Sequence, residues 1–219
     1  MNRALIICAA ATAALSLAAC NKNQASNQTP ATSDTNSVSN TSSVGQAEPV
    51  NHAQDTAGAA VGSMSAATMG SHDTGSFVSN AAQGDMYEIQ AAKIAEAKSK
   101  NADVKAFAKM MEKDHTKLSS EMKPLISAAG QTPPADLDQR RKGFLDNLKA
   151  ANAGDFDKTY MDQQVAAHDE TLTLLQGYAK DGSDAGLKDA AGKAVAMVQK
   201  HSDMAKQIQA KVAGGATNP

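Results

Sequence analysis

The sequence predicts an all-α protein built as a four-helix bundle, and three observations carry the prediction. Aromatic residues make up 3% of the 219-residue chain, tryptophan is absent, and alanine and methionine supply much of the apolar content. Apolar residues recur at alternating steps of three and four in three long segments, the spacing of one helix face. Each of these stripes contains one histidine: His115, His168 and His201.

Charge and motifs exclude several classes of function. The formal net charge is -2, which gives no electrostatic basis for binding nucleic acid or an anionic membrane surface. The sequence has no glycine-rich phosphate loop, no G-x-S-x-G motif and no cysteine-histidine pairing. An enzymatic activity is therefore not favoured by any sequence motif, and no nucleic-acid partner is expected.

The first twenty residues read as an export signal with a lipid attachment site. Arg3 is followed by an apolar run over residues 4–15, and Leu17-Ala18-Ala19-Cys20 resembles the lipobox of bacterial lipoproteins. The apolar run is shorter than the roughly 17 to 25 residues that a membrane span needs. We therefore expect residues 1–19 to be removed and Cys20 to be lipidated. Simple secretion with cleavage nearby is the alternative.

Localisation and cysteine chemistry follow from that signal. Asn21 follows Cys20, which by resemblance to enterobacterial sorting favours the outer membrane. The expected location is the cell envelope, as an outer-membrane lipoprotein facing the periplasm or as a periplasmic protein. The expected membrane contact is the lipid anchor. Cys8 leaves with the signal, so no thiol remains in the mature domain for a disulfide or a metal.

Residues 20–73 are predicted to form a disordered, low-complexity tether. They are mostly Asn, Gln, Ser, Thr, Ala and Gly, with few large apolar residues and no periodicity. Such a segment does not bury enough surface to offset the entropy of ordering it. The bundle is then expected over residues 74–212, followed by a flexible tail over residues 213–219.

Helix start and stop signals divide the bundle into four long helices and one short one. The predicted ranges are Ser76 to Lys100, Val104 to Ala129, Leu137 to Ala151, Phe156 to Ala179, and a last helix that ends near Val212. Pro124 is expected to kink the second helix or to weaken it. The connection from Gly130 to Asp155 is too long for an up-down bundle. Its length predicts the crossover of a ferritin-like bundle, with a short extra helix inside it.

Several stretches of the bundle resemble one known family. They are Gly84-Asp85-Met86-Tyr87-Glu88, Val104-Lys105-Ala106-Phe107-Ala108, Asp114-His115-Thr116, Phe156-Asp157-Lys158-Thr159-Tyr160 and Met204-Ala205. They look like the exported bacterial family called domain of unknown function 4142, over about Ser76 to Ile208. The resemblance implies a ferritin-like four-helix bundle on outer-membrane or periplasmic proteins. It implies no established activity.

The histidines and two glutamates are the candidate metal ligands. Glu88, His115 and His168 lie near the midpoints of their helices and His201 a little beyond, so antiparallel packing would bring them to one depth. Glu112 and His115 form one Glu-x-x-His motif, as in di-iron bundles. The resembled family carries an aliphatic residue at the position of Glu112, and this chain lacks the second such motif.

A mononuclear site is less demanding than a di-iron centre. Glu88 with the three histidines would suit a transition metal such as Fe or Zn, or Cu or Ni, with Asp114 or Asp169 orienting an imidazole. The competing interpretation is a buried polar network in which each imidazole hydrogen-bonds a carboxylate or a hydroxyl and holds no ligand. The methionines are dispersed among the helices, which favours core packing over a copper-binding box.

Two functional hypotheses therefore stay open. One is a non-enzymatic envelope protein that acts by binding, in stress tolerance or surface assembly, to a protein partner that the sequence does not identify. The other is a metal-binding or metal-dependent redox bundle with a central His/Glu site. The metal content of the protein separates the two.

Overall fold

The protein is all-α, as the sequence predicts. The computed structural model describes residues 48–68, 70 and 72–215, all within one compact unit. The described helices are α1 (Glu48–Thr68), α2 (Thr74–Lys98), α3 (Ala102–Ala128), α4 (Gln139–Ala150), α5 (Phe156–Asp181) and α6 (Ala185–Ala213). The predicted signal, Cys20, residues 20–47 of the predicted tether and the last four residues of the tail lie outside the described residues.

Two helical hairpins form the bundle. Three residues join α2 to α3 and three join α5 to α6. The Asn101 side chain accepts hydrogen bonds from the Asp103 and Val104 amides, and Asp184 caps α6 in the same way through the Leu187 amide. These caps explain why the helix starts fall within a few residues of their predicted positions.

The long connection between the hairpins crosses the length of the bundle. The last turns of α3 pack in one apolar core through Ile126, whereas α5 starts in the other core with Phe156. Helices α3 and α5 therefore run parallel, and α4 lies within the crossover, as predicted. Gly130 takes a φ of 68°, which turns the chain out of α3. Helix α3 continues through Pro124 to Ala128.

Two apolar cores lie at opposite ends of the bundle. The first, here called the Tyr160 core, combines the second half of α2, the first half of α3, α4, the start of α5 and the end of α6. The second, the Tyr178 core, combines the start of α2, the end of α3, the second half of α5 and the first half of α6. On α3, α5 and α6 the three histidines lie between residues of the two cores.

The structure differs from the prediction over Glu48–Thr68, where an ordered helix replaces part of the predicted tether. Helix α1 packs on α4 and α5. A Cβ on Gly58 would lie 2.8 Å from the Phe144 ring, and one on Gly62 would collide with the Glu170 carboxylate. Small residues thus let the α1 backbone lie close against its neighbours, and this close approach replaces the large apolar stripe that the prediction required.

Polar contacts complete the docking of α1. The Asp55 carboxylate accepts hydrogen bonds from Asn147 Nδ2 at 2.7 Å and from Gln163 Nε2 at 2.5 Å. Burial raises the pKa of Asp55, and these two donors oppose the rise. Beneath α1, Arg140 pairs in bidentate fashion with Glu170, at 2.8 and 2.9 Å. Helix α1 docks through side-chain amides and over a buried ion pair, and hydrophobic periodicity does not predict contacts of this kind.

No described helix has both the length and the apolar character that crossing a membrane requires.

Candidate metal centre

Three buried imidazoles converge at the middle of the bundle. One ring nitrogen from each of His115, His168 and His201 lies within 4.8 Å of the other two. The ring centroids are 5.6 to 5.9 Å apart, and no ring is more than 2% exposed. Helical periodicity places each histidine in the apolar stripe of its own helix. The predicted convergence of imidazoles from three helices at one depth is therefore found in the structure.

A hydrogen bond holds one nitrogen of each ring from outside the cluster. His115 Nδ1 lies 2.8 Å from Asp85 Oδ1, and His168 Nδ1 lies 2.8 Å from the Gln164 backbone oxygen. His201 Nε2 lies 3.1 Å from Asp114 Oδ2. Carboxylate and carbonyl oxygens only accept, so each of these ring nitrogens is a donor and carries the proton.

The remaining nitrogen of each ring has no partner. His115 Nε2, His168 Nε2 and His201 Nδ1 are buried and make no hydrogen bond among the described residues. In a neutral ring the other nitrogen carries the proton, so each of these atoms then presents a lone pair. Burial lowers the pKa of His168 and His201 and so favours their neutral rings, whereas His115, whose pKa is raised, must release one proton before its Nε2 presents a lone pair. Three unpaired polar atoms in one buried place are costly, at about 1–3 kcal/mol each. A cation bound among them would remove that cost.

The spacing suits one ion after a small contraction. One nitrogen of each ring lies no more than 4.8 Å from the other two, so a point between them is up to about 2.8 Å from each, against about 2.0–2.1 Å for a zinc-nitrogen bond. Each ring would move inward by under about 1 Å. The outer hydrogen bonds already fix the tautomer and orientation that such ligation needs, as outer-shell oxygens do in metal sites.

Glu88 lies in the same layer but outside the nitrogen triangle. Its Oε2 accepts a 2.7 Å hydrogen bond from Gln164 Nε2, and its Oε1 lies 3.7 Å from His168 Nδ1. Burial raises the pKa of Glu88 to about 7, although the charge of His115 opposes the rise. Glu88 is therefore about half ionised near pH 7, and it supplies buried negative charge beside the cluster when it is deprotonated.

The three imidazoles differ in proton affinity. Burial lowers the pKa of His168 to about 3, and the charge of His115 adds to the effect. Burial also lowers the pKa of His201, although the hydrogen bond that His201 donates to Asp114 opposes the shift. For His115, burial lowers the pKa, but the hydrogen bond to Asp85 and the charge of Glu88 outweigh it and raise the pKa above its ordinary value.

Two other residues named from the sequence lie away from the triangle. Glu112 lies on the surface of α3, with its carboxylate 3.5 Å from Lys93 Nζ. Asp169 accepts from Ser202 Oγ and Lys206 Nζ, at 3.3 and 2.8 Å, and contacts no imidazole. The structure brings neither of them to the cluster.

Sequence reasoning overlooked two partners of the imidazoles. Asp85 lies three residues before Glu88 on α2, so both reach the same helix face. It also accepts a 2.9 Å bond from Ser119 Oγ, which fixes its carboxylate against α3. Gln164 lies one turn before His168 on α5 and contacts both that ring and Glu88. Their spacing of three and four residues from candidate ligands was the available signal.

The chain matches the family model for Domain of unknown function (DUF4142) over residues 59–208. The chain belongs to the DUF4142 family. The match starts inside α1 and covers the rest of the described bundle up to the last turns of α6. Comparisons with curated proteins and with solved structures return no match. The family membership predicted from the sequence is confirmed, whereas the ferritin-like assignment stays a prediction.

Proposed function

We propose that this DUF4142 protein binds one transition-metal ion through His115 Nε2, His168 Nε2 and His201 Nδ1. The observation that carries the proposal is the set of three buried ring nitrogens without partners, each in a ring whose other nitrogen is held as a donor. That arrangement directs three imidazole nitrogens toward a metal, and His115, whose pKa is raised, gives up one proton when it ligates.

The donor set indicates the class of metal. Imidazole nitrogen suits Zn, Cu, Fe and Ni, whereas Ca and Mg require oxygen ligands. Three histidines leave a fourth coordination position open, as in zinc sites that bind water or substrate. Such an ion would act there as a Lewis acid or, for a redox metal, as an electron carrier. Glu88 would offset part of its charge from outside the triangle.

The two alternatives are less well supported. A di-iron centre needs several convergent carboxylates, and Glu112 pairs with Lys93 on the surface instead. The polar network expected from the sequence is partly present, since His115 and His201 each hydrogen-bond a carboxylate, but it leaves one buried nitrogen of each ring without a partner among the described residues. An envelope protein that acts by binding without a metal stays a prediction.

The test is the metal content and metal-dependent stability of the full chain, purified without a histidine tag. Wild-type protein should take up about one Zn(II) or Cu(II) per chain. At a free ion concentration 100 times the dissociation constant, binding should add about 2.7 kcal/mol of stability. For a domain of this size that corresponds to a rise in melting temperature of about 5–11 °C.

His168→Ala is the test variant, and His52→Ala is its matched control. His52 is an exposed histidine on α1. The control should keep both stoichiometry and stabilisation, whereas His168→Ala should lose both while remaining helical by circular dichroism. Equal binding by the two variants, or no binding by the wild type, would end the proposal.

A further inference from the structure

A groove opens on the surface between α3 and α6. Its volume is about 380 Å³, within the range of small-ligand sites. Apolar side chains including Leu118, Met122 and Met197 line it, and Asp114 lies among the charged residues of its lining. Asp114 is the same residue that accepts the hydrogen bond from His201. The groove therefore leads from solvent to the outer partner of one of the three imidazoles.

Of the three carboxylates that line the groove, two are paired with a lysine and Asp114 is not. Lys117 lies 3.7 Å from Glu121, and Lys193 lies 2.6 Å from Asp189, so these two acids are paired. Among the described residues, Asp114 makes no ion pair with a lysine or arginine. Its partner is His201, and its side chain is 29% exposed to the groove side of that contact. The negative charge of Asp114 favours a cation as the occupant.

Asp114 contacts the His201 ring, which carries one of the three unpartnered nitrogens. His201 is 1% exposed, and its Nδ1 is one of the three unpartnered nitrogens. The outer partners of the other two rings give no comparable access. Asp85 is buried and bonded to Ser119, and Gln164 is fully buried.

A second cavity reaches the layer from the opposite side, but it is too small for a hydrated ion. It touches Glu88 between α2 and α5 and holds only about 10 Å³. Arg140 and Arg141 line it, and both donate hydrogen bonds to Glu170. Its volume is about that of one water molecule, and the two guanidinium groups occupy its lining, so it has no room for a hydrated ion.

We propose that the groove between α3 and α6 is the route by which the metal ion reaches the three imidazoles, with Asp114 as its first ligand. The inference rests on the metal site proposed above. An ion held at the Asp114 carboxylate competes for the oxygen that accepts from His201, which frees that ring to turn and pass the ion inward. Uptake rate and binding affinity are then controlled by different residues.

Stopped-flow uptake of Co(II) by the metal-free full chain tests the route. Ala190→Phe fills the groove, and Ala196→Phe adds the same ring at an exposed position of α6 outside it. Filling the groove should slow uptake by about tenfold or more without changing the equilibrium dissociation constant, because the ligands themselves are untouched. The control should take up Co(II) at the wild-type rate.

A second variant tests the route by changing the charge of the groove without filling it. Lys193 is exposed at the groove, and Lys193→Glu should speed uptake about two- to threefold at low salt, an effect that high salt removes. Lys149→Glu makes the same charge change on α4 and should have no effect. Wild-type binding with unchanged rates in Ala190→Phe and Lys193→Glu would overturn the route alone. Absence of any Co(II) binding by the wild type would overturn the metal site as well, and the route with it.

Discussion

Replacing His168 with leucine should stabilise the metal-free protein. His168 is 1% exposed and lies between Met161 and Leu172 along its helix stripe. The change removes an unpartnered nitrogen, worth about 1–3 kcal/mol, and loses a hydrogen bond to the Gln164 carbonyl, worth about 0.5–1.5 kcal/mol. The net expectation at pH 8 is a gain of about 1 kcal/mol in the free energy of unfolding.

The stabilisation by His168→Leu should be larger at acidic pH. The pKa of His168 is lowered to about 3, whereas in the unfolded chain it is near 6.5. Between these values the unfolded state binds the proton and the folded state does not, so this residue costs stability as the pH falls. The cost is about 1.4 kcal/mol per pH unit, or about 2 kcal/mol at pH 5. The leucine variant has no such group to protonate. At pH 5 its free energy of unfolding should therefore exceed that of the wild type by about 3 kcal/mol.

The assay is urea unfolding of both chains with a metal chelator present, at pH 8 and pH 5. Glu88 changes stability with pH in the opposite direction, but it is present in both chains, so their difference isolates His168. A variant less stable than wild type at both pH values would show that the histidine layer stabilises the fold without metal. A difference that does not change with pH would contradict the assigned proton affinity of His168.

Four further predictions concern three other positions in the chain. Gly62→Ala should loosen α1 by about 1–3 kcal/mol, because its Cβ collides with the Glu170 carboxylate; hydrogen exchange of α1 measures the change. Glu88→Gln should weaken Zn(II) binding by about 10- to 100-fold, because a charge beside the cluster is lost; chelator competition measures it. The same variant should lose the decline in metal-free stability of about 3 kcal/mol between pH 4.5 and 7, because the raised pKa of Glu88 favours the folded state only while the carboxyl is protonated. Cys20→Ser should abolish incorporation of labelled fatty acid in bacterial cells, whereas Cys8→Ser should not.

Each of these three variants has a result that contradicts the expectation for it. Gly143 has open space around its Cα, so Gly143→Ala is the control for helix propensity, and equal behaviour of the two glycine variants would refute close docking of α1. Unchanged zinc affinity in Glu88→Gln would show that the Glu88 carboxylate does not contribute to metal binding. Labelling of the Cys20→Ser protein would place the lipid elsewhere.

The sequence predicts the helices that have a long periodic apolar stripe and recognisable start and stop residues. The stripes through His115, His168 and His201 locate α3, α5 and α6 to within a few residues, and start and stop signals do the same for α2. Helix α1 was overlooked because it docks through glycines and through partners far away in sequence. Asp55, for example, bonds Asn147, and nothing near Asp55 in the chain signals that contact.

The candidate site was predictable in its ring positions but not in its hydrogen bonds. Helix midpoints are enough to bring imidazoles to one depth. The selection of Asp85 over Asp169 as an imidazole partner depends on how each helix is rotated about its axis, which one sequence does not determine. The same rotation turns Glu112 toward Lys93 at the surface. The Glu-x-x-His spacing is therefore present, yet its carboxylate does not reach the cluster.

Anomalous X-ray diffraction from crystals of the zinc-loaded, untagged protein tests the central claim most directly. The account predicts one strong peak inside the bundle, about 2.0–2.1 Å from Nε2 of His115, Nε2 of His168 and Nδ1 of His201. Zinc found only at surface carboxylates, or an interior with no peak while the three rings keep their present hydrogen bonds, would contradict it.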